Sequence, residues 1–466
     1  MTIKLDQTPH KVQANGHPES FIFHRSQRTK PANIISGSGI KFTLDNGRTI
    51  IDASAGPAVA CLGHSEPRVA QAVMRQMESL SYAYSMGYTT DAAEDLAAHV
   101  LHNRPGGLGK AIFVNSGSEA TDAALKLATQ YWIEAGRPSK NQFIARKQSY
   151  HGNTLGALCV SGHESRREFY QPWMSKNVTF VDPCYAYRGQ GSDETDAQYL
   201  QRLETELEET IVRIGSDNVA AFILETIPGT TLGCVPPVPG YLSAMRRICD
   251  KHGILLMLDE IMCGMGKTGK MHAWECEGDF RGPDIQTIGK ALGGGFVPIS
   301  GVLASQKIFD AIAQGSQTLA HGHTFQAHPN ACAAALEVQK IIAERDLLGN
   351  VAARGEQLER EMKAELSSLP HVGNIRGRGL FWAIEFMKDP AARTPFARGS
   401  GYSDRVVEVA QGLGLNILGT LGHTGEYHVE HVIISPPYII SQEEVSEVVR
   451  LLRETIVAVD QEGKKW

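Results

Sequence analysis

Between Gly253 and Gly295 the chain reads GILLMLDEIMCGMGKTGKMHAWECEGDFRGPDIQTIGKALGGG. The apolar run Ile254 to Leu258 is too short for a helix and is bounded by a glycine, which predicts a strand buried on both faces. Asp259 and Glu260 follow it directly. A second short run, Asp284 to Ile288, leads to Gly289, Lys290 and the glycine cluster Gly293 to Gly295. An acid and a lysine, each just past the end of a buried strand, stand where open α/β sheets hold their ligands. Partial removal from water lowers the pKa of such a lysine and makes its amine a nucleophile suited to Schiff-base chemistry.

The 466 residues exceed one compact core, so two or more lobes are expected. Hydrophobic content of 42% and charged content of 21% belong to an ordinary globular chain. A net charge of −6 gives no global pull towards nucleic acid or an anionic membrane. No apolar stretch approaches the roughly 18 residues that span a bilayer. The opening MTIKLDQTPHKVQANGHPES has no apolar signal core and no early arginine, so neither secretion nor mitochondrial import is expected. The eight cysteines are scattered without a CxxC pair, which predicts reduced core thiols and a cytoplasmic location.

Residues 1 to about 35 are polar and irregular. Gly39 to Leu44 and Thr49 to Asp52 flank an Asn46–Gly47 turn and predict a β-hairpin. Helical spacing runs from Pro67 to Leu80 and from Asp91 to Leu101. The strand Ala111 to Val114 enters Asn115–Ser116–Gly117–Ser118–Glu119 and a helical pattern through Trp132. Ser116 and Glu119 form an S-x-x-E capping box, after which Ala120, Ala124, Leu127, Ala128 and Tyr131 share a face. The free N–H groups of that first turn make a phosphate seat; an ordinary serine-capped turn accounts for the same residues, and both readings stay open.

Phe143 to Ala145 predicts a strand ending near Tyr150–His151–Gly152, and Val219 to Leu224 another ending at Glu225. Short apolar strands separated by helical segments predict an α/β fold with a mostly parallel sheet covered on both faces. Ser116 to Ser118, Tyr150, Glu225, Asp259 and Lys290 would then share one sheet edge. Val297 to Ala304 is a further strand candidate, and the loop His321 to Pro329 precedes a helix from Asn330 to Ala343. Helical patterns at Ala352 to Leu366 and Glu443 to Val457, with a strand at Leu380 to Phe386, predict a second lobe. The acid and the lysine together suit pyridoxal phosphate, because the acid holds the pyridine nitrogen protonated while the amine bonds to the aldehyde.

Two other motifs have simpler explanations. Gly266–Lys267–Thr268 resembles the end of a P-loop, but Ile261 stands where that loop needs a glycine. His321, His323 and His328, like His423, His428 and His431, lack a cysteine or carboxylate at ligand spacing and are expected to be hydrogen-bonded loop histidines rather than metal ligands.

From about Phe23 to Ala458 the chain resembles the class III aminotransferases, fold type I pyridoxal-phosphate enzymes. The resemblance is carried by Asn115–Ser116–Gly117–Ser118–Glu119–Ala120, by Tyr150–His151–Gly152, and by Asp259–Glu260–Ile261 through Gly269. Ile288 through Gly295 and Thr324–Phe325–Gln326–Ala327–His328–Pro329 complete the series in the family's order. It implies a large cofactor domain over residues 69–335 and a smaller α+β lobe built from residues 1–68 and 336–466. It also implies that Lys290 carries the cofactor and shuttles the proton, and that Asp259 pairs with the ring nitrogen. Gly117 and Ser118 would hold the phosphate, Tyr150 stack on the ring, Ile261 pack on its other face and Glu225 support the site. Thr324 would reach the phosphate of a neighbouring subunit, in a homodimer with shared active sites.

Several positions depart from the family pattern. Many members bind the substrate carboxylate with an arginine shortly before a Pro-Pro pair, yet His428 to Ser435 before Pro436–Pro437 contains none. Thr230 stands where amino-acid transaminases place a second glutamate, five residues after Glu225, and Met262 where the ornithine and 4-aminobutyrate enzymes have glutamine. Gly56 is followed by Pro57 and Ala58, without the aromatic that some amine transaminases carry there. Because arginine's fork is the usual grip on a carboxylate, these changes point away from 2-oxoglutarate and ornithine chemistry. They point to an amine or ω-amino donor, a pyruvate-like keto acid acceptor and an open apolar pocket. A racemase or epimerase on the same fold is the alternative, although one acting on amino acids would also need a carboxylate binder. A non-catalytic regulator would bring a basic DNA-binding segment that neither terminus shows.

Overall fold

A computed structural model of the chain describes residues 20–26, 30–420 and 422–463. The irregular start expected for residues 1–35 therefore lies, up to residue 19, outside the described residues. The central sheet has seven strands: β1 Leu108–Val114, β2 Gln142–Arg146, β3 Val178–Val181, β4 Val219–Glu225, β5 Leu255–Asp259, β6 Ile285–Ile288 and β7 Ser300–Ser305. Their order is β1-β7-β6-β5-β4-β2-β3. The strands from β6 across to β3 run parallel, whereas β7 is antiparallel to both β6 and β1.

β4 and β5 are buried along their whole length, as near-continuous apolar runs require. Alternate residues serve opposite faces. Phe222, Leu224, Leu256 and Leu258 pack with the helices Asp196–Ile214 and Tyr241–Lys251. Ala221, Ile223, Leu255 and Met257 pack on the other side with Ala120, Ala124 and Leu127 of helix α1, Gly117–Glu134. The α/β class is thus the observed one. The strand β3 has no counterpart among the sequence expectations. Its four residues sit at the sheet edge and are mostly half-buried, so the apolar signal of a central strand is weak there.

The hairpin Lys41–Leu44 and Thr49–Asp52 closes through Gly47 at φ 82°, and Leu415–Asn416 pairs in parallel with Thr49–Asp52. A third sheet joins Val372–Arg378, Phe381–Phe386, Glu430–Ile434 and Leu418–Gly419. One apolar cluster links both regions to the helices Pro329–Glu344, Leu347–Leu366 and Gln442–Gln461. All eight cysteines are free thiols, and seven are buried. Among the described residues no helix is long and apolar enough to cross a membrane.

Candidate active site

The parallel register places Glu225, Asp259 and Thr287 side by side at the ends of β4, β5 and β6. Beyond them lies a cavity of about 190 Å³ whose wall includes Gly117, Ser118, Tyr150, Glu225, Asp259, Ile261 and Lys290. Thr324, by contrast, is exposed and outside that wall; its carbonyl accepts a hydrogen bond of 2.9 Å from the Tyr82 hydroxyl.

Asp259 is held at both oxygens. Oδ1 accepts from the Ile261 N–H at 3.0 Å and the Thr287 hydroxyl at 3.1 Å, while Oδ2 lies 2.8 Å from His151 Nδ1. Glu260, next in sequence, turns to the opposite face. Its carboxylate accepts from Thr226 Oγ1, the N–H groups of Ala273 and Trp274, and Gln286 Nε2, at 2.7 to 3.1 Å. The two adjacent acids therefore divide: one faces the cavity and the other ties down the loop after β5.

Lys290 follows β6 on a backbone with φ 45°, a left-handed conformation that costs an L residue about 1–2 kcal/mol. Its side chain is half-buried and opens into the cavity. Burial lowers the pKa of its amine, opposed chiefly by the nearby Asp259 carboxylate. Gly289 before it is required by space, since a Cβ there would collide with Ser300 Oγ.

Where α1 reaches the cavity at Gly117 and Ser118, Ser116 caps the helix by accepting from the Glu119 N–H at 3.2 Å. The expected reciprocal bond is displaced by one residue: the Glu119 carboxylate accepts from the Asn115 N–H at 2.7 Å. Asn115 rather than Ser116 is tied, which leaves the N–H groups at Gly117 and Ser118 at the positive end of the helix. Ser118 Oγ accepts from the Asn153 N–H at 2.9 Å and so links α1 to the loop after Tyr150.

The chain matches the family model for class-III aminotransferases over residues 22–456. It is 41% identical over 440 residues to an uncharacterised aminotransferase of Schizosaccharomyces pombe, covering 94% of this chain and 95% of that protein. The chain belongs to the class III aminotransferases. A gamma-aminobutyrate transaminase of Solanum lycopersicum is 34% identical, over 87% of this chain and 76% of that one. The solved omega-transaminase of Pseudomonas jessenii, in complex with PMP, superposes with a TM-score of 0.87 at 30% identity, covering 92% and 93% of the two chains. An (S)-enantioselective omega-transaminase from Thermomicrobium roseum gives 0.86 at 31% identity over 93% of each chain.

Class III aminotransferases depend on pyridoxal phosphate, and this cavity fits that group. Glu225 Oε2 and His151 Nε2, both on wall residues, are buried without a hydrogen-bond partner. Buried polar atoms left this way are costly and mark a place for a polar ligand. Gly117 keeps the wall open: a Cβ there would come within 2.8 Å of Ile261 Cδ1.

Two expected outcomes follow from this aminotransferase site. At Gly152 the backbone has φ 138°, and a Cβ would meet Ser118 Oγ at 2.7 Å and both Ser118 Cα and Ala157 Cβ at 2.8 Å. Gly152→Ala is therefore expected to cost about 2–4 kcal/mol, combining overpacking with backbone strain, as read by urea unfolding. Glu225 concerns pH. Burial raises its carboxyl to about 7, against the opposing pull of His151 and Arg146 and with a push from Asp259. The native state holds this proton more tightly than the open chain does. Its stabilising contribution is complete below the ordinary value near 4.5 and is lost as pH rises through about 7. Glu225→Gln stays neutral and should flatten that decline in the cofactor-free protein, measured by urea midpoints across the same pH range.

His151 and Ser300 line the cavity and Thr287 holds Asp259, and sequence reasoning selected none of the three. Thr287 had a signal, lying three residues before Lys290 on a predicted strand. Ser300 enters from the antiparallel β7, and no local pattern reveals that pairing.

Proposed function

We propose that this enzyme transfers an amino group from an amine or ω-amino donor to a short keto acid such as pyruvate. The observation that carries the proposal is the lining of the cavity: Ile227, Thr230, Met262 and Cys263 are part of it, and among the described residues no arginine is. That lining suits an apolar donor and lacks the carboxylate grip of a dicarboxylate transaminase. The omega-transaminase and gamma-aminobutyrate transaminase relatives support the same donor class.

Bound pyridoxal phosphate supplies an electron sink for the carbanion formed at the donor carbon. In this reading Lys290 Nζ would anchor the cofactor and, once released by the donor amine, would carry the proton from the donor carbon to the cofactor's aldehyde carbon, the shift that distinguishes transamination from racemisation. The lowered pKa of Lys290 favours the neutral amine that this base needs. Asp259, with His151 and Thr287 fixing its oxygens, keeps the pyridine nitrogen protonated. Gly117 and Ser118 would offer the helix N-terminus to the phosphate, Tyr150 and Ile261 would pack on the ring, and Glu225 would support it from β4.

The reading also pairs two copies of the chain, with Thr324 of each completing the other's phosphate site. Its exposure beside exposed Phe325, Tyr82, Tyr84, Met86 and Tyr88 supports such a contact. Eight free thiols support work in a reducing cytoplasm. The test is an acceptor panel together with a visible spectrum. Adding 1-phenylethylamine without acceptor should bleach the yellow enzyme, and pyruvate should restore the colour. A spectrum that returns unaided to its start would mark a racemase, and a strict preference for 2-oxoglutarate would refute the acceptor assignment.

A further inference from the structure

A keto acid must place its carboxylate somewhere, and the usual family position holds no arginine here. The strand Glu430–Ile434 that leads to Pro436–Pro437 carries His431 instead, fully buried with its N–H donating to Thr420 Oγ1 at 2.9 Å. Three other guanidiniums, those of Arg146, Arg376 and Arg398, already have partners. Arg146 donates to the Glu225 carbonyl at 2.7 Å. Arg376 is paired with Glu385 at 2.5 Å and with the Gly233 carbonyl at 2.7 Å, and Arg398 bonds His423 and the Gly425 carbonyl.

Arg166 differs. Its guanidinium carbon lies 4.6 Å from the centroid of the Tyr150 ring, and Tyr150 is part of the cavity wall. Its Nε is buried without a hydrogen-bond partner, and it makes no ion pair with any described residue. Its neighbour Arg167 is spent on the fold, donating to the carbonyls of Cys159 at 3.0 Å and Ser161 at 2.6 Å. The nearby charge of Arg25 has the same sign and adds to the positive potential at Arg166.

We infer that Arg166, which stacks on the wall residue Tyr150 from outside the cavity lining itself, is the seat for the carboxylate of the keto-acid acceptor. The inference rests on the transaminase reading above and names the acceptor-binding group within it. A carboxylate approaching the side of the guanidinium satisfies Nε and one terminal nitrogen together, in the bidentate geometry that arginine offers and lysine does not. The ring beneath holds the cation by a cation–π contact and fixes its plane. The free enzyme would then bear the cost of a half-buried, uncompensated charge that acceptor binding relieves.

The experiment uses the holoenzyme and its Arg166→Gln and Arg166→Lys variants. In Arg166→Gln the KM for pyruvate should rise at least about tenfold, the loss expected for one charge-assisted hydrogen-bonded pair, with Arg166→Lys intermediate. The KM for butanal, an acceptor without a carboxylate, should stay within about twofold, as should the bleaching rate with 1-phenylethylamine. Calorimetric titration with propionate should show the same loss of affinity as the pyruvate KM. Unchanged pyruvate and propionate affinity in Arg166→Gln would overturn the inference. An equal fall in amine bleaching and butanal use would overturn it too, because Arg166 would then serve only to position Tyr150. Failure of the unaltered enzyme to bleach with any amine would instead refute the transaminase reading, while the propionate titration would still decide whether Arg166 binds a carboxylate.

Discussion

Replacing Lys290 by alanine is expected to lower turnover with 1-phenylethylamine and pyruvate at least about 10,000-fold, because the proposed mechanism uses its amine as both nucleophile and proton carrier. The fold should survive. Among the described residues no hydrogen bond of the Lys290 ammonium would be broken, and the side chain points into space rather than into a packed core. The backbone adds a second expected result. At φ 45° any Cβ is strained, so Lys290→Gly should be about 1 kcal/mol more stable than Lys290→Ala once both lack the amine. Urea unfolding of the two cofactor-free variants checks this. Equal or lower stability of the glycine variant would show that the turn after β6 holds no strain. Such strain is the kind a functional position keeps when its surroundings over-determine it.

Asp259→Asn should reduce kcat by about 100- to 10,000-fold. An asparagine retains one oxygen for the Ile261 N–H and the Thr287 hydroxyl, at 3.0 and 3.1 Å in the parent. In place of Oδ2 it presents an amide, which carries no charge to hold a protonated ring nitrogen. The contact with His151 Nδ1, at 2.8 Å with side-chain exposures of 0% and 6%, loses its ionic partner in a water-poor site. A stability loss of about 1–3 kcal/mol should accompany the kinetic effect. Steady-state kinetics with pyruvate, alongside urea unfolding, separate the two. An Asp259→Asn enzyme within tenfold of the parent would remove this acid from the proposed mechanism.

Much of the cavity lining was legible along the chain because it is built from strand ends. Unbroken apolar runs such as Val219 to Leu224 announce strands buried on both faces, and the first polar residue after each run must lie at the sheet edge. Glu225, Asp259 and Lys290 were found in this way, and Gly117 and Ser118 through the serine that caps α1. Other features left no comparable mark. The edge strand Val178–Val181 is short and half-buried, so it lacks the apolar continuity of β4 and β5. Period-two alternation states that Asp259 and Glu260 point to opposite faces, but not which of them meets the cavity. The Glu119 side chain reached the N–H of Asn115 rather than that of Ser116, one residue before the position that the S-x-x-E spacing marks.

Local order and hydrophobic pattern therefore determined the elements, their ends and the residue types waiting there, since burial and capping act over a few neighbouring residues. Only the tertiary structure decided the register that sets Asp259 between Glu225 and Thr287, the entry of Ser300 from an antiparallel strand, and the stacking of Arg166 on Tyr150. Those contacts join segments far apart in the chain, and their geometry is fixed by how whole sheets and helices pack rather than by any residue's neighbours in sequence.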